Sequence, residues 1–302
     1  MRRSPLLFAL LAAVLFSTGG VGIKQATLTG LELSSARSLV AFVVLLAWTQ
    51  LMTRGGEAEG RGARALSFNR TTLLAAVAYA ATLMLFVQAT KWTSAANAIF
   101  LQYTAPLYML VFEPWMYKEK YRGRDFITVV ACLAGMSLFF VGDLRADDVR
   151  GNAAALGSGV SFALFSLLLR RNQTAESGAG GNLSAVIYGN LLLGIACAPF
   201  LIARIMSDGL AVSDTFIVLY LGAIQIGLAY GFYTAALARG ARSLDVGIVG
   251  YAEAVLNPLL VLIVLGERPT LFAVVGGAVI IGAVVAHTLY GSRRRTALLS
   301  PD

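Results

Sequence analysis

Charge is scarce in these 302 residues. Asp, Glu, Lys and Arg together make up 13% of the chain, about half of the ~25% usual in a soluble domain. Hydrophobic residues make up 58%, and mean hydropathy is +0.74. A single water-facing core of this size cannot hide so much apolar surface, whereas lipid accepts it. That excludes a soluble globular domain. The net charge of +8 does not call for nucleic acid, because membrane proteins gather Lys and Arg in their cytoplasmic loops. Histidine and cysteine are also nearly missing. Cys132, Cys197 and the lone His287 all lie in apolar runs, with no disulfide pattern and no metal-ligand spacing. His287 reads first as a hydrogen-bonded structural residue, with a proton relay as the alternative. Neither H-E-x-x-H nor G-x-S-x-G occurs, so an intramembrane enzyme has little to work with. No G-x-x-x-x-G-K-[ST] loop is present, so there is no recognisable ATP motor. No cofactor and no metal are implied.

What is present is a series of apolar runs, each about 20 residues long and so able to cross a bilayer as a helix. Ten such runs lie near 6–23, 32–52, 71–90, 94–116, 125–142, 151–170, 183–203, 213–236, 244–265 and 270–290. The start, "MRRSPLLFALLAAVLFSTGG", imitates a signal peptide but lacks an A-x-A-like cleavage site, so it is expected to stay as the first span. Seventeen Lys and Arg fall on one side of this topology and six on the other, with Arg37 inside a span. The positive-inside rule then puts both termini in the cytoplasm.

The chain also repeats itself. "TKWTSAANAIFLQYTAPLYMLVFEPWMYKEK" overlays "ARGARSLDVGIVGYAEAVLNPLLVLIVLGER" at an offset of 148. Lys91 meets Arg239, Asn97 meets Asp245, Tyr103 meets Tyr251 and Glu119 meets Glu267. Phe16 meets Phe162 and Lys24 meets Arg170 at an offset of 146, and Ala131-x-x-x-Gly135 has a counterpart in Ala278-x-x-x-Gly282. Five spans per half is an odd number, so the halves, 1–147 and 148–302, must be oppositely oriented. The expected fold is an all-α polytopic membrane protein, ten transmembrane helices in two inverted five-helix repeats forming one integrated domain. Inverted repeats are a recurring device of secondary transporters, with the substrate site near the midplane. The small-residue faces of the fifth and tenth spans are expected to pack on each other or at a dimer contact.

The residues quoted so far resemble those of the drug/metabolite transporter superfamily, in its EamA-type branch. "LFSTGGVGIK" is similar to that family's first-helix motif, with Phe16 where tryptophan is common, and "ARSLVAF" to its second helix, including Arg37. The fourth span with Pro106 and Glu119, "ALGSGVSFALFSLLLRR" and "LGERPTLFAVVGGAVIIGAVV" extend the resemblance over nearly the whole chain. Glu253 is followed by Ala254 where the family often has Glu-Pro, with Pro258 further on. Within the branch the chain most resembles YddG-type bacterial amino-acid exporters. The resemblance implies export of amino acids, aromatic ones included, or similar small metabolites, by alternating access through a central cavity. That cavity would be lined by spans 1, 3, 4, 6, 8 and 9. A channel-like facilitator, or a transporter of another metabolite or drug, is the alternative. Expected partners are a small-molecule substrate and the lipid bilayer, with no nucleic acid, in a monomer or homodimer.

Tyr79, Tyr103, Phe162, Phe165, Gln225, Tyr230, Tyr251 and Glu253 fall at mid-depth and form the candidate substrate-binding set. Rings with polar tips suit a cavity, because the ring supplies apolar contact and the hydroxyl finds a partner. Each could instead be packing. A carboxylate at mid-membrane costs ~2.5–3.5 kcal/mol on insertion scales, so Glu253 should face protein or an aqueous cavity. It could be a structural hydrogen-bonding group, a binder of a substrate amino group, or a proton-coupling site. Residues two apart on a helix project about 200° apart. If Tyr251 lines the cavity, Glu253 should turn to a neighbouring helix; if Glu253 lines it, Tyr251 should pack behind. Pro106 and Pro258 are read as mid-helix hinges.

Overall fold

Long apolar runs in this chain become helices because no other open structure satisfies backbone hydrogen bonds in lipid. The computed structural model describes residues 5–54, 66–118, 122–139, 147–174, 178–256 and 271–297. Among these the secondary structure is helical, with no strand. The elements are α1 (Pro5–Phe16), α2 (Gly19–Gln25), α3 (Gly30–Arg54), α4 (Arg70–Trp92), α5 (Ala95–Gln102) and α6 (Ala105–Tyr117). They continue with α7 (Gly123–Phe139), α8 (Val149–Thr174), α9 (Gly178–Ser207), α10 (Val212–Tyr220), a π-helical segment (Leu221–Leu228), α11 (Ala229–Ala238), α12 (Ser243–Gly250) and α13 (Leu271–Ala297).

Local sequence sets the helix starts. Thr29 and Glu32 form a capping box before α3, with Thr29 N donating to Glu32 Oε2 at 2.8 Å. The Asn69 side chain accepts from Thr72 N at 2.8 Å to start α4, and Ser94 accepts from Asn97 N at 3.0 Å to start α5. Among the described residues, six helical stretches are long and apolar enough to cross a membrane: Pro5–Gln25, Gly30–Gln50, Arg70–Trp92, Val149–Asn172, Leu183–Ser207 and Val212–Ala238. No more than half of each is buried inside the protein. The outer faces carry large apolar side chains, such as Val43, Trp115, Ile127, Ile195 and Phe216. So broad an exposed apolar surface requires lipid as its solvent. The fold is that of an all-α, multi-pass membrane protein.

The predicted span 94–116 is not one helix. It breaks at Tyr103–Thr104, between α5 and α6. Pro106 has no N–H to offer the carbonyl four residues back, and its ring would collide there. It therefore sits in the first turn of α6, where a missing donor costs nothing. Its reading as a mid-helix residue is corrected; the proline inside α6 is Pro114. A second break follows α12 at Tyr251. Each half-helix has eight residues, and their bounds, Ala95–Gln102 and Ser243–Gly250, differ by the same 148 residues seen in the sequence. Pro258, Glu119 and Glu267 lie outside the described residues.

Helix packing is reciprocal between the parts of the chain before and after residue 147. α4 lies along α8, and α1 along α11; α5 and α6 contact α8, and α12 contacts α1; α4 contacts α9, and α3 contacts α10 and the π segment. α7 packs on α13. Gly135 makes that approach possible, since a Cβ there would stand 2.9 Å from Gly276 O and from Ile280 Cγ1. The facing step on α13 is thus Gly276 to Ile280, both buried, and not Ala278 to Gly282, both exposed. The expectation that Gly282 packs on the fifth span is corrected: the helix turns that face outward. Gly135→Leu is expected to cost about 1–3 kcal/mol through overpacking and lower the melting temperature in detergent. Gly282→Leu, whose Cβ would meet nothing within 4 Å, is expected to leave it unchanged.

Candidate substrate cavity

The two breaks put irregular backbone in the middle of the bundle, where such backbone must be surrounded by protein or a cavity. Tyr103 is the C-cap of α5, and Tyr251 holds the equivalent place after α12. The Tyr251 hydroxyl donates to Tyr103 O at 3.0 Å, and the ring centroids are 5.4 Å apart. The Tyr103 hydroxyl in turn donates to Glu253 Oε2 at 2.5 Å.

Tyr103 and Glu253 border a cavity of about 70 Å³ between the parts of the chain. It has room for several waters and falls below the ~300–1,000 Å³ of drug-sized ligand pockets. Tyr103, Pro106, Phe162, Gln225, Tyr230 and Glu253 line it. Tyr79 and Phe165 stand behind as fully buried supports. Tyr79 meets the ring of Tyr230 edge-on at 4.6 Å, Phe165 meets it at 5.9 Å, and Asn190 Nδ2 donates to the Tyr79 hydroxyl at 3.0 Å. Tyr251 is fully buried behind the cavity with Cys132, Met136 and Ile280. Glu253 reaches the cavity and Tyr251 packs behind it, as their angular separation requires of one of the two.

Several lining residues were not singled out from sequence. Phe16 packs edge-on against Tyr230 at 4.8 Å. Gln102 donates to Ser158 Oγ at 2.7 Å, and Ser158 donates to Thr82 O at 3.0 Å; Gln102 and Thr82 both reach the cavity. Tyr233 lies three residues beyond Tyr230, on the same helical face, which is the signal that finds it. Arg37 also lines the cavity.

Polar ties close the bundle at both ends. α8 runs from one to the other, and the 22 residues from Asp148 to Arg170 span about 33 Å. At the Asp148 end, Thr93 Oγ1 donates to Asp148 Oδ2 at 2.8 Å and Lys24 Nζ donates to Thr93 O at 2.7 Å. There Asp214 accepts from Thr27 N at 2.9 Å and Thr27 Oγ1 at 2.5 Å. At the other end, fully buried Glu113 pairs with Arg170 at 2.6 Å and Arg242 at 3.3 Å, and accepts from Ser243 N at 3.1 Å. Arg242 also pairs with Asp125 at 3.0 Å, and His287 Nε2 lies 3.0 Å from Asp245 Oδ1. His287 is therefore a buried, hydrogen-bonded member of this cluster, as its first reading had it. No group of three or more His, Cys, Asp or Glu positioned to hold a metal ion occurs among the described residues.

A multi-pass helical bundle around a central, polar-tipped cavity suits a membrane transporter. The chain belongs to the EamA-like transporter family, whose profile matches residues 3–141 and again 149–289. An uncharacterized transporter of Clostridium kluyveri (strain ATCC 8527 / DSM 555 / NBRC 12016 / NCIMB 10680 / K1) is 22% identical over 209 residues, 66% of each protein. The chain thus matches about two thirds of that relative's length. A solved crystal structure shares the fold with a TM-score of 0.77 at 19% identity, covering 96% of this chain and 99% of that one.

Glu113→Ala removes the carboxylate that Arg170 and Arg242 share. It is expected to cost about 3–5 kcal/mol, as for the loss of one partner from a buried ion pair, read as a lowered melting temperature in detergent.

Proposed function

We propose that this protein is a secondary transporter that exports amino acids, aromatic ones included, or similar small metabolites by alternating access, in the manner of YddG-type exporters. Ten spans form two inverted five-helix repeats with both termini cytoplasmic in a bacterial-type inner membrane. The observation that carries the reading is the central cavity with cross-half polar ties at both ends of the bundle. A carrier opens one such closure while holding the other; a channel needs a continuous path. The reciprocal helix packing and the double family match support the repeat. Tyr103, Phe162, Gln225, Tyr230 and Glu253 contact the substrate. Tyr79, Phe165 and Tyr251 hold that set in place, and Pro106 and Pro258 mark the bends at which the fourth and ninth spans move.

Uptake into proteoliposomes, across a panel of amino acids and with or without a pH gradient, tests the function. Saturable, stereoselective flux is expected. Linear flux that ignores stereochemistry would favour the channel-like facilitator. Topology is tested separately with single cysteines placed beside Glu119 and Glu267. An impermeant thiol reagent applied outside intact cells should label only the second, and equal labelling of both would rule out inverted halves.

A further inference from the structure

We infer that Arg37 is the anion-binding group of the cavity and that, together with Glu253, it selects a small zwitterion bearing both a carboxylate and an ammonium group. The inference deepens the transport reading above and rests on it.

Arg37 belongs to α3 and is 1% exposed. Arg37 lines the cavity. One donor is occupied, with Nη2 reaching Leu83 O at 3.2 Å. Nε has no hydrogen-bond partner, and no carboxylate among the described residues pairs with Arg37. The contrast with the half-buried arginines is sharp. Arg170, Arg242 and Arg204 each have a carboxylate within 3.3 Å. An unpaired buried cation is costly, and such a cost persists where a ligand removes it. The position is rigidly held. The π segment crosses α3 at this residue, and a Cβ on Gly222 would stand 2.6 Å from Arg37 O.

A planar guanidinium offers two parallel N–H groups to a carboxylate. Glu253 supplies the opposite charge to the same cavity. Tyr103 occupies one of its oxygens, and the other takes no hydrogen bond from the described residues. One fixed cation and one fixed carboxylate, enclosed by Phe16, Phe162 and Tyr230, match a guest of zero net charge with its two charges apart. A simple amine leaves Arg37 unpaired, and a simple acid leaves Glu253 unpaired. An α-amino acid pairs both, with its side chain against the rings.

The test uses ligand-induced thermal shifts of the detergent-purified full chain. The probes are L-alanine, L-leucine and L-phenylalanine, each compared with its amide and its deaminated acid. At least one amino acid is expected to stabilise the wild type at lower concentration than either analogue. Arg37→Gln is expected to weaken that amino acid about 10- to 100-fold, the value of a charge-assisted contact, and to leave the amide unchanged, so that the preference over the amide disappears. Its ligand-free melting temperature should equal or exceed that of the wild type, because an unpaired buried charge is gone; a merely structural cation would lower it. If Arg37→Gln does not fold, Arg37→Lys reads the same preference, which should fall with loss of the two-point contact. Either variant keeping the wild-type preference overturns the inference, and so does a wild type indifferent between acid and amide. Absence of flux in proteoliposomes with the binding preference intact would overturn transport and leave the anchor standing. Saturable flux of amines and amides with no preference for a carboxylate would do the reverse.

Discussion

Hydrocarbon offers no hydrogen bonds, and the placement of every polar group here follows from that. A backbone or side-chain dipole facing lipid costs several kcal/mol, so the outer surface is Val, Ile, Leu, Phe and Trp. Among the described residues, polar groups gather at the two ends of the bundle and around the cavity, and others, such as Ser35 and Asn190, are buried between helices. At the ends they find one another, as Glu113 does with Arg170 and Arg242, and Asp214 with Thr27. These contacts join segments far apart in sequence, so the same pairs that satisfy charge also hold the bundle shut. In the cavity, Arg37 Nε and Gln225 Oε1 have no hydrogen-bond partner among the described residues.

Broken helices are the second consequence. A helix interrupted at mid-membrane frees backbone groups that lipid cannot meet, so both interruptions, at Tyr103 and Tyr251, turn inward. The Tyr251 hydroxyl then satisfies a backbone carbonyl at the other break, Tyr103 O. The chain from Tyr251 through Tyr103 to Glu253 thereby couples two half-helices and a carboxylate into one unit.

Much of this was legible in the residues. Apolar run length and scarcity of charge carried the membrane fold, because those quantities depend only on composition along the chain. The offset of 148 pointed to equivalent places for Tyr103 and Tyr251, and mid-depth position alone brought Gln225, Tyr230 and Phe162 to the cavity. Direction around each helix was harder to read. Tyr251 and Glu253 differ by about 200°, and only the packing partners decide which faces inward. Gly282 matched Gly135 in spacing, yet the close step on α13 is at Gly276, since helix rotation is set by contacts that spacing does not encode. Pro106 was recognised as a bend but placed inside a helix, because the sequence of an apolar run shows no gap where the backbone breaks. Arg37 was visible as a charge within a span. Its lack of a carboxylate partner is a property of the assembled bundle.

The π-helical segment adds an asymmetry of its own. Such a turn takes in more residues than an α-turn, and Leu221–Leu228 lies upstream of Tyr230 and Tyr233, whereas α4, its counterpart before residue 147, is α-helical throughout. The register between the two parts of the chain slips from 146 at Phe16 and Phe162 to 148 at Tyr103 and Tyr251, and the π turn lies within that interval. The wide turn absorbs an added residue while α10 and α11 keep nearly the same phase. Losing one residue from the segment would let it relax to α geometry with the ring wall and the Asp214 tie left close to their places, whereas losing one from the all-α α4 would turn the residues before it by about 100°.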